Sequence, residues 1–514
     1  MQDMPNLLQP REYQENIIET AKNNNTLVVL PTGLGKTLIA LHLSIHRKEK
    51  YPLSKILMLA PTRPLIEQHF EYYQKNLPEL FADLQLFTGS VKGEERKMIF
   101  QTAEIVFSTP QCIANDVSHC LYSLNEVSLL IIDEAHRCLK NYDYTKVVSS
   151  YKNQAQNQLI LGLTASPGSD AEKVKQIIEH LAIEAIELRT RDSDDVKPYL
   201  KEREFNKIEV PFPKEFEELR ILLKRIYDSK VYKLKVMNLL FGPPNKISLL
   251  MLQNRLAMQA SSGNGQAMAG MSLTAQAIKI SHALELLETQ TLSGLKDYLM
   301  GLKQQSDEKK TRGVQTLVNS PEFQASLISL NHLLEKGMEH PKIEELAVLV
   351  EKEFKEKENV KIIIFSQFRE TALSISKRLN KIPAAKSEIF IGQAKKKDSG
   401  LSQKEQKRII EDFKQSKINI ICATSIGEEG LDIPEVSAVF FYEPVPSAIR
   451  KIQRAGRTAR LAPGKLFILI TKDTRDEISH YASSAREKKM YKTIEIISEE
   501  LKRRKKAPSL KRFF

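Results

Sequence analysis

In the segment "TLVVLPTGLGKTLIALHL" a lysine and a threonine, Lys36 and Thr37, close a turn made of Pro31, Thr32, Gly33, Leu34 and Gly35. Glycines at alternate positions let a backbone curl until its N–H groups point at phosphate oxygens, and a helix that starts there adds its positive end. Lys36 can then reach the β- and γ-phosphates of a nucleotide, and the Thr37 hydroxyl can bind Mg²⁺. The general phosphate-loop pattern has glycine six positions before the lysine, where this chain has Leu30. A phosphate loop needs a carboxylate to share the metal, and "SLLIIDEAHRC" supplies Asp133 after four aliphatic residues. That placement puts Asp133 at the carboxyl end of a strand, where open α/β sheets bind ligands. Asp133 can hold Mg²⁺, and Glu134 can orient or deprotonate an attacking water. Near the far end, "QRAGRTAR" sets Arg454, Arg457 and Arg460 three residues apart, with Gln453 before them. Alone, that spacing also describes a solvated stripe on a surface helix. With a phosphate site elsewhere in the chain, guanidinium groups can neutralise charge spreading over a transferring phosphoryl group.

These groups need strands to carry them. Short aliphatic runs, "TLVVL", "KILMLA", "LQLFTG", "EIVFST", "SLLIID" and "QLILGLTA", alternate with amphipathic stretches through the first 190 or so residues. The pattern returns with "KIIIFS", "SEIFIG", "NIICAT", "AVFFYE" and "KLFILIT". Such alternation predicts parallel strands with crossover helices, twice over. Between the two blocks, from about Phe205 to His340, strand signals vanish and apolar residues recur near the helical period, as at Leu219, Leu223, Ile226, Val231 and Leu234. We therefore divide the chain into an α/β domain at 1–200, an all-helical insert at 201–343, a second α/β domain at 344–500 and a basic tail at 501–514.

The chain has 514 residues, of which 41% are hydrophobic and 27% charged, a composition suited to folded domains. Four cysteines without a CxxC pair argue against a zinc site or a disulfide framework. No signal-peptide pattern or membrane-spanning run stands out, so an intracellular, soluble protein is expected. A net charge of +13 favours a polyanionic partner, although part of it lies in the tail "LKRRKKAPSLKRFF".

Taken in order, "PTGLGKT", "APTRPL", "STPQ", "DEAH", "LTASPG", "FSQFRET", "GEEGLDIP" and "QRAGRTAR" resemble the motif series of superfamily 2 helicases over about Gln9 to Arg460. Within it the chain is most similar to the archaeal Hef helicases and the related Fanconi anaemia M proteins. The resemblance implies an α/β fold of two recA-like parallel-sheet domains with a helical insert. It implies an enzyme that hydrolyses ATP with Mg²⁺ to translocate along or unwind forked or branched DNA in fork repair and recombination. Arg457, Arg460 and Gln453 would complete the ATP site from the second lobe. Arg11 and Gln14 in "PREYQ" would lie at the adenine, Gly430 and Asp432 would sense the nucleotide, and Thr164 and Ser166 would link the ATP site to the nucleic-acid groove. The track would run over Thr62, Arg63, Thr88, Gly89, Thr109, Gln367 and Thr424, residue types that hold phosphates without reading sequence. Lys230, Lys233 and Lys235, on one helix of the insert, describe either a solvated face or a duplex contact.

An XPF-type nuclease is not expected, because the sole "ERK", Glu95 to Lys97, has Gln101 where that motif has Asp. The final "LKRFF" resembles part of a sliding-clamp-binding box with Leu510, Phe513 and Phe514 as plugs, although Ala507 replaces the usual glutamine. Similarity to an archaeal family implies a cytoplasmic, nucleoid-associated protein. Two other readings stay open: an RNA-directed ATPase of the Dicer or innate-immune sensor type, and a branched-DNA scaffold with incidental ATPase activity.

Overall fold

Strands buried on both faces require helices above and below them. The structure, a computed structural model, describes residues 8–78, 80–140, 142–200, 203–261, 264–392, 400–424, 433–445, 447, 450, 454 and 464–506. The first lobe is built from α1 (Glu12–Asn23), β1 (Thr26–Val29), α2 (Lys36–Lys50), β2 (Lys55–Leu59), α3 (Arg63–Asn76), β3 (Leu84–Phe87), α4 (Gly93–Thr102), β4 (Ile105–Ser108) and α5 (Pro110–Ser118). It continues through β5 (Val127–Ile132), α6 (Asp143–Gln154), β6 (Ile160–Thr164), α7 (Ala171–His180) and β7 (Ala185–Leu188). The seven strands form one sheet in the order β3-β4-β2-β5-β6-β1-β7, and every pairing is parallel. Alternate residues of β1 and β5 feed the two faces: Leu27, Val29, Leu130 and Ile132 pack on one side, Val28, Leu129 and Ile131 on the other. The edge strand β7 was not among the expected runs; its "AIEL" is short and mostly half-buried.

The insert holds α8 (Glu217–Val236), α9 (Lys246–Ala260), α10 (Gly265–Thr289), α11 (Leu292–Asp307), α12 (Arg312–Val318) and α13 (Pro321–Glu335). Side-chain caps mark several of its starts: Asn245 accepts from Ser248 N, Asn264 from Gln266 N and Ala267 N, and Thr291 from Gly294 N. The second lobe comprises α14 (Lys342–Glu356), β9 (Ile362–Phe365), α15 (Arg369–Leu379), β10 (Ser387–Phe390), α16 (Gln403–Lys414), β11 (Ile420–Ala423), β12 (Ala438–Phe441) and β13 (Gly464–Thr471). Its parallel six-stranded sheet runs β10-β11-β9-β12-β13-β8. The last member, β8 (Arg203–Val210), falls inside the segment read from sequence as insert, yet it pairs with β13 along its whole length from Arg203↔Gly464 to Val210↔Thr471. Its "REFNKIEV" alternates charged and apolar residues and lies at a sheet edge, where one flank and much of both faces stay wet; Phe205 is 48% exposed. That pattern lacks the aliphatic run by which the buried strands were recognised.

The insert is keyed to the second lobe by polar contacts. Thr371 Oγ1 donates to Gln290 Oε1 at 2.8 Å, and Gln290 Nε2 donates to Glu443 Oε2 at 3.3 Å. The Arg475 guanidinium donates to the Ser281 carbonyl at 2.6 Å. The chain then continues as α17 (Arg475–Lys506), so 501–506 are helix and not the start of a tail. Asp476 anchors it in the second lobe through Lys342, whose Nζ lies 2.8 Å away. Fourteen residues on, Met490, Ile494 and Ile497 are buried in the core of the first lobe. With 32 residues, about 48 Å at 1.5 Å each, α17 is long enough to strap one lobe to the other.

Candidate nucleotide and nucleic-acid site

The phosphate loop leaves β1 with Leu30 N bonded to the Thr164 carbonyl at 3.0 Å. Leu30 is fully buried in the core, which explains how the loop does without the glycine of the general pattern: its side chain points away from the turn. Gly33 and Gly35 have φ of 86° and 77°, left-handed values that glycine adopts without strain. Gly35 has a second constraint, because a Cβ there would lie 2.3 Å from Gln14 Nε2. Gln14 and Tyr13 brace the loop from α1: Gln14 Nε2 and Tyr13 OH both donate to the Leu34 carbonyl, at 3.0 and 2.8 Å. Gln14 Oε1 accepts from Arg11 N at 2.8 Å, and the Arg11 guanidinium sits 5.0 Å over the Tyr199 ring. Gln14, expected at the adenine, is 2% exposed and bonded to the phosphate loop at one end and to the start of α1 at the other. Lys36 Nζ donates to the Leu30 carbonyl at 2.9 Å, inside the curl of the loop.

Asp133 emerges at the end of β5, 5% exposed, and its backbone is fixed by N–H donation to Leu59 O at 2.9 Å and by Tyr144 OH donating to its carbonyl at 2.8 Å. One carboxylate oxygen accepts from Glu134 N at 2.9 Å; the other lies 2.8 Å from His69 Nε2. Burial alone would push this carboxyl up, but the His69 hydrogen bond, with the charges of His69 and Lys36, outweighs it and holds Asp133 below its ordinary value. His69 reaches the other way too: its Nδ1 is 3.3 Å from Thr37 Oγ1. The ring therefore joins the hydroxyl and the carboxylate expected to share a metal, two hard oxygen donors of the kind Mg²⁺ selects. Sequence reading missed His69, because a single histidine in an amphipathic helix carries no signal of its own.

Glu134 has φ 51° and ψ 48°, a left-handed backbone uncommon for a side-chain-bearing residue and found where structure holds it for function. Its buried Oε2 has no hydrogen bond; His136 Nδ1 is 3.2 Å away without the alignment for one. A carboxylate oxygen free of hydrogen bonds can take one from a water, as a water-activating base must. His136 Nδ1 also lies 3.2 Å from Thr164 Oγ1, and that hydroxyl accepts from Ser166 N at 3.1 Å. Ser166 Oγ in turn donates to the Met490 sulfur of α17 at 2.8 Å.

The track candidates gather at the carboxyl ends of strands in both sheets. Thr62 follows β2 and its buried hydroxyl has no partner, an orphan donor of the kind a phosphate oxygen can satisfy. Arg63 is turned onto Glu67 at 2.6 Å. Thr88 is buried and bonded to Ser90 Oγ at 2.7 Å, whereas nothing lies within 4 Å of the place a Gly89 Cβ would take. Thr109 Oγ1 points to Cys112 Sγ at 3.4 Å. In the second lobe Gln367 is exposed and Thr424 half-buried, just past β9 and β11. On α8, Lys233 and Lys235 are exposed, but Lys230 is 9% exposed. Burial and the charge of Lys233 lower its pKa against the pull of Glu322, so Lys230 does not share the open face of Lys233 and Lys235.

Arg454 does not lie on a solvated stripe. It is 2% exposed, with its guanidinium 5.0 Å over the Phe365 ring and 5.9 Å from Phe441. Gln453, Arg457, Arg460, Gly430, Asp432, Leu510, Phe513 and Phe514 lie outside the described residues. No helix among the described residues is long and apolar enough to cross a membrane.

Two parallel sheets of recA type, one carrying a phosphate loop, an Asp–Glu pair and its supporting histidine, define the two-lobed core of a superfamily 2 helicase. The model of the type III restriction enzyme res subunit matches residues 7–169, and the helicase conserved C-terminal domain matches 341–462. A model provisionally described as the helical bundle of an ATP-dependent RNA helicase matches 215–337. The crystal structure of the Pyrococcus furiosus Hef helicase domain aligns over 92% of this chain and 98% of its own, at 41% identity and a TM-score of 0.70. This chain belongs to the Hef helicase family. Among curated relatives, a Methanocaldococcus jannaschii chain provisionally named an ATP-dependent RNA helicase is 36% identical over 95% of this chain. The ATP-dependent DNA helicase fml1 of Schizosaccharomyces pombe is 32% identical over 94%, and the Fanconi anemia group M protein homolog of Mus musculus 30% over 94%. The chain spans 61%, 59% and 26% of the lengths of these three relatives.

Proposed function

We propose that this chain is the motor of an ATP-dependent DNA helicase or translocase working on forked or branched duplexes. The observation that carries the reading is the triangle of Thr37, His69 and Asp133 at the phosphate loop, with Glu134 beside it, whose buried Oε2 makes no hydrogen bond. Thr37 and Asp133 would hold the Mg²⁺ that shields the phosphates when bound. Lys36 neutralises the β- and γ-oxygens, and Glu134 takes a proton from the attacking water. Arg457, Arg460 and Gln453 act on the same phosphates from the second lobe, and Gly430 and Asp432 report the nucleotide state there. Phosphates of the track bind at Thr62, Gly89, Gln367 and Thr424, and closure of the lobes couples the two sites. Relatives named as DNA helicases support DNA as the track, and Lys233 and Lys235 offer it a basic face on the insert.

A second reading has RNA as the track, favoured by the name given to the Methanocaldococcus relative. The deciding experiment is ATP turnover with single-stranded DNA, blunt duplex DNA, forked DNA and duplex RNA at one fixed salt concentration, since affinity depends on salt. Forked DNA is expected to stimulate most. Stronger stimulation by duplex RNA would overturn the choice of track, and stimulation by no nucleic acid would overturn the motor.

A further inference from the structure

On the insert, close to the second lobe, α9, α10 and α11 border a half-open cavity of about 290 Å³ whose lining includes Lys246, Leu249, Lys279, His282, Glu285 and Tyr298. That volume lies at the small end of ligand pockets. The rings of His282 and Tyr298 meet edge to face at 4.7 Å, and Tyr298 OH is turned away onto the Lys279 carbonyl at 3.1 Å. Glu285 stands between cations: its Oε2 is 3.3 Å from Lys246 Nζ and 3.5 Å from His282 Nδ1. Burial would raise this carboxyl, but those partners outweigh it, so Glu285 is held ionised as a hydrogen-bond acceptor. From Ser229 to Leu284 the sequence has no aspartate or glutamate, while Lys230, Lys233, Lys235, Lys246, Arg255 and Lys279 are basic. The cavity is therefore an aromatic and carboxylate pocket at the end of a cationic stretch, 229–284, that carries no acid. It also adjoins the track: the His282 ring is 5.4 Å from that of Phe368, the neighbour of Gln367 at the end of β9.

We propose that this pocket captures one unpaired nucleotide of a DNA strand, with its base against the His282 and Tyr298 rings, a base amino group donating to Glu285, and its phosphates on Lys246 and Lys279. Each part has a chemical reason. Base–aromatic stacking tolerates any sequence, as a motor requires. The carboxylate accepts from the exocyclic amines that adenine, guanine and cytosine present. The lysines supply charge on the side facing solvent. A strand splayed from a fork beside Gln367 would meet the pocket next, so duplex without an unpaired arm would leave it empty.

The inference rests on the DNA reading given above, and the test separates the two. Binding of the full chain is measured to a fork with one unpaired arm, to a blunt duplex of equal length, and to forks with an abasic nucleotide at each successive arm position. In the wild type, one abasic position is expected to weaken binding about tenfold. His282→Ala should weaken binding to the intact fork by a similar factor and erase that position's effect, because base and ring act as a pair. Lys246→Gln with Lys279→Gln should lower the salt dependence of fork binding by roughly 1.4 in log–log slope and leave the blunt duplex within about twofold. A flat abasic scan, a scan unchanged by His282→Ala, or equal loss on fork and blunt duplex would overturn the pocket while the DNA reading stands. A wild type that binds no DNA would overturn the DNA reading itself.

Discussion

At Asp133 a buried carboxylate keeps its charge because a histidine five strands and helices back in the chain is folded against it, and that same histidine touches Thr37. Single atoms therefore carry the chemistry, and single substitutions should expose it. Lys36→Ala removes the cation inside the phosphate loop and is expected to cut ATP turnover by a hundredfold or more, on the order of other lost transition-state donors; near-normal steady-state turnover would refute the site. Glu134→Gln keeps the volume and the left-handed backbone demand but removes the base. Turnover should fall by about 10²–10⁴, while nucleotide affinity, measured by titration with a fluorescent analogue, stays close to that of the wild type. If affinity fell as far as turnover, Glu134 would be a binding group and its assignment as base would fail.

At the level of elements, α17 shows how far sequence could and could not be read. Its buried residues Met490, Ile494, Ile497 and the partly buried Leu501 recur at spacings of four, three and four, a seam visible in the sequence. What the pattern cannot say is which surface it covers, and here the surface belongs to the lobe at the other end of the chain. Ile494 is fully buried there, so Ile494→Ala should cost about 2–5 kcal/mol and lower the denaturant midpoint of the first lobe, followed by hydrogen exchange on β7 and α7, although the substitution lies in a helix rooted in the second. Exchange faster only within α17 would refute the strap. The same logic explains the other gaps. The buried parallel strands were legible because four or five consecutive aliphatics have few other uses, and the phosphate loop and DEAH segment were legible because their spacing is fixed by phosphate geometry. The edge strands β7 and β8 were not, since an edge needs less burial, and Lys230 was not, since a lysine stem can lie along apolar surface while its neighbours at Lys233 and Lys235 face water.

For the whole molecule the question is what holds three bodies in one working arrangement. Exposed contacts such as Lys407 to Glu67, 3.3 Å across the lobes, are weak and screened by salt, which suits the lobe closure proposed above. On the insert, replacing Lys233 and Lys235 together with glutamine should weaken fork binding several-fold and reduce its salt slope by about 1.8 for duplex contact, and an unchanged slope would return both lysines to a solvated face. The joint between insert and second lobe is different, because it is buried. Glu443 is 4% exposed, accepts from Gln290 through Oε2, and has no partner on Oε1. Burial pushes its carboxyl up to about 7 against the pull of Arg454 and Lys342. A folded-state value above the ordinary 4.5 means that the folded protein holds the proton more tightly than the unfolded chain. The stabilisation from that proton is complete below about pH 4.5 and is lost as pH rises through about 7. Glu443→Gln cannot ionise and keeps an acceptor for Gln290. Denaturant unfolding of both proteins from pH 5 to pH 8 should therefore show the wild type losing stability relative to the variant, by up to about 3 kcal/mol, with the change centred near neutrality. Parallel pH profiles would mean that Glu443 stays charged in the joint, held there by Arg454 and Lys342, and that the insert is locked to the second lobe by an ion pair rather than by a shared proton.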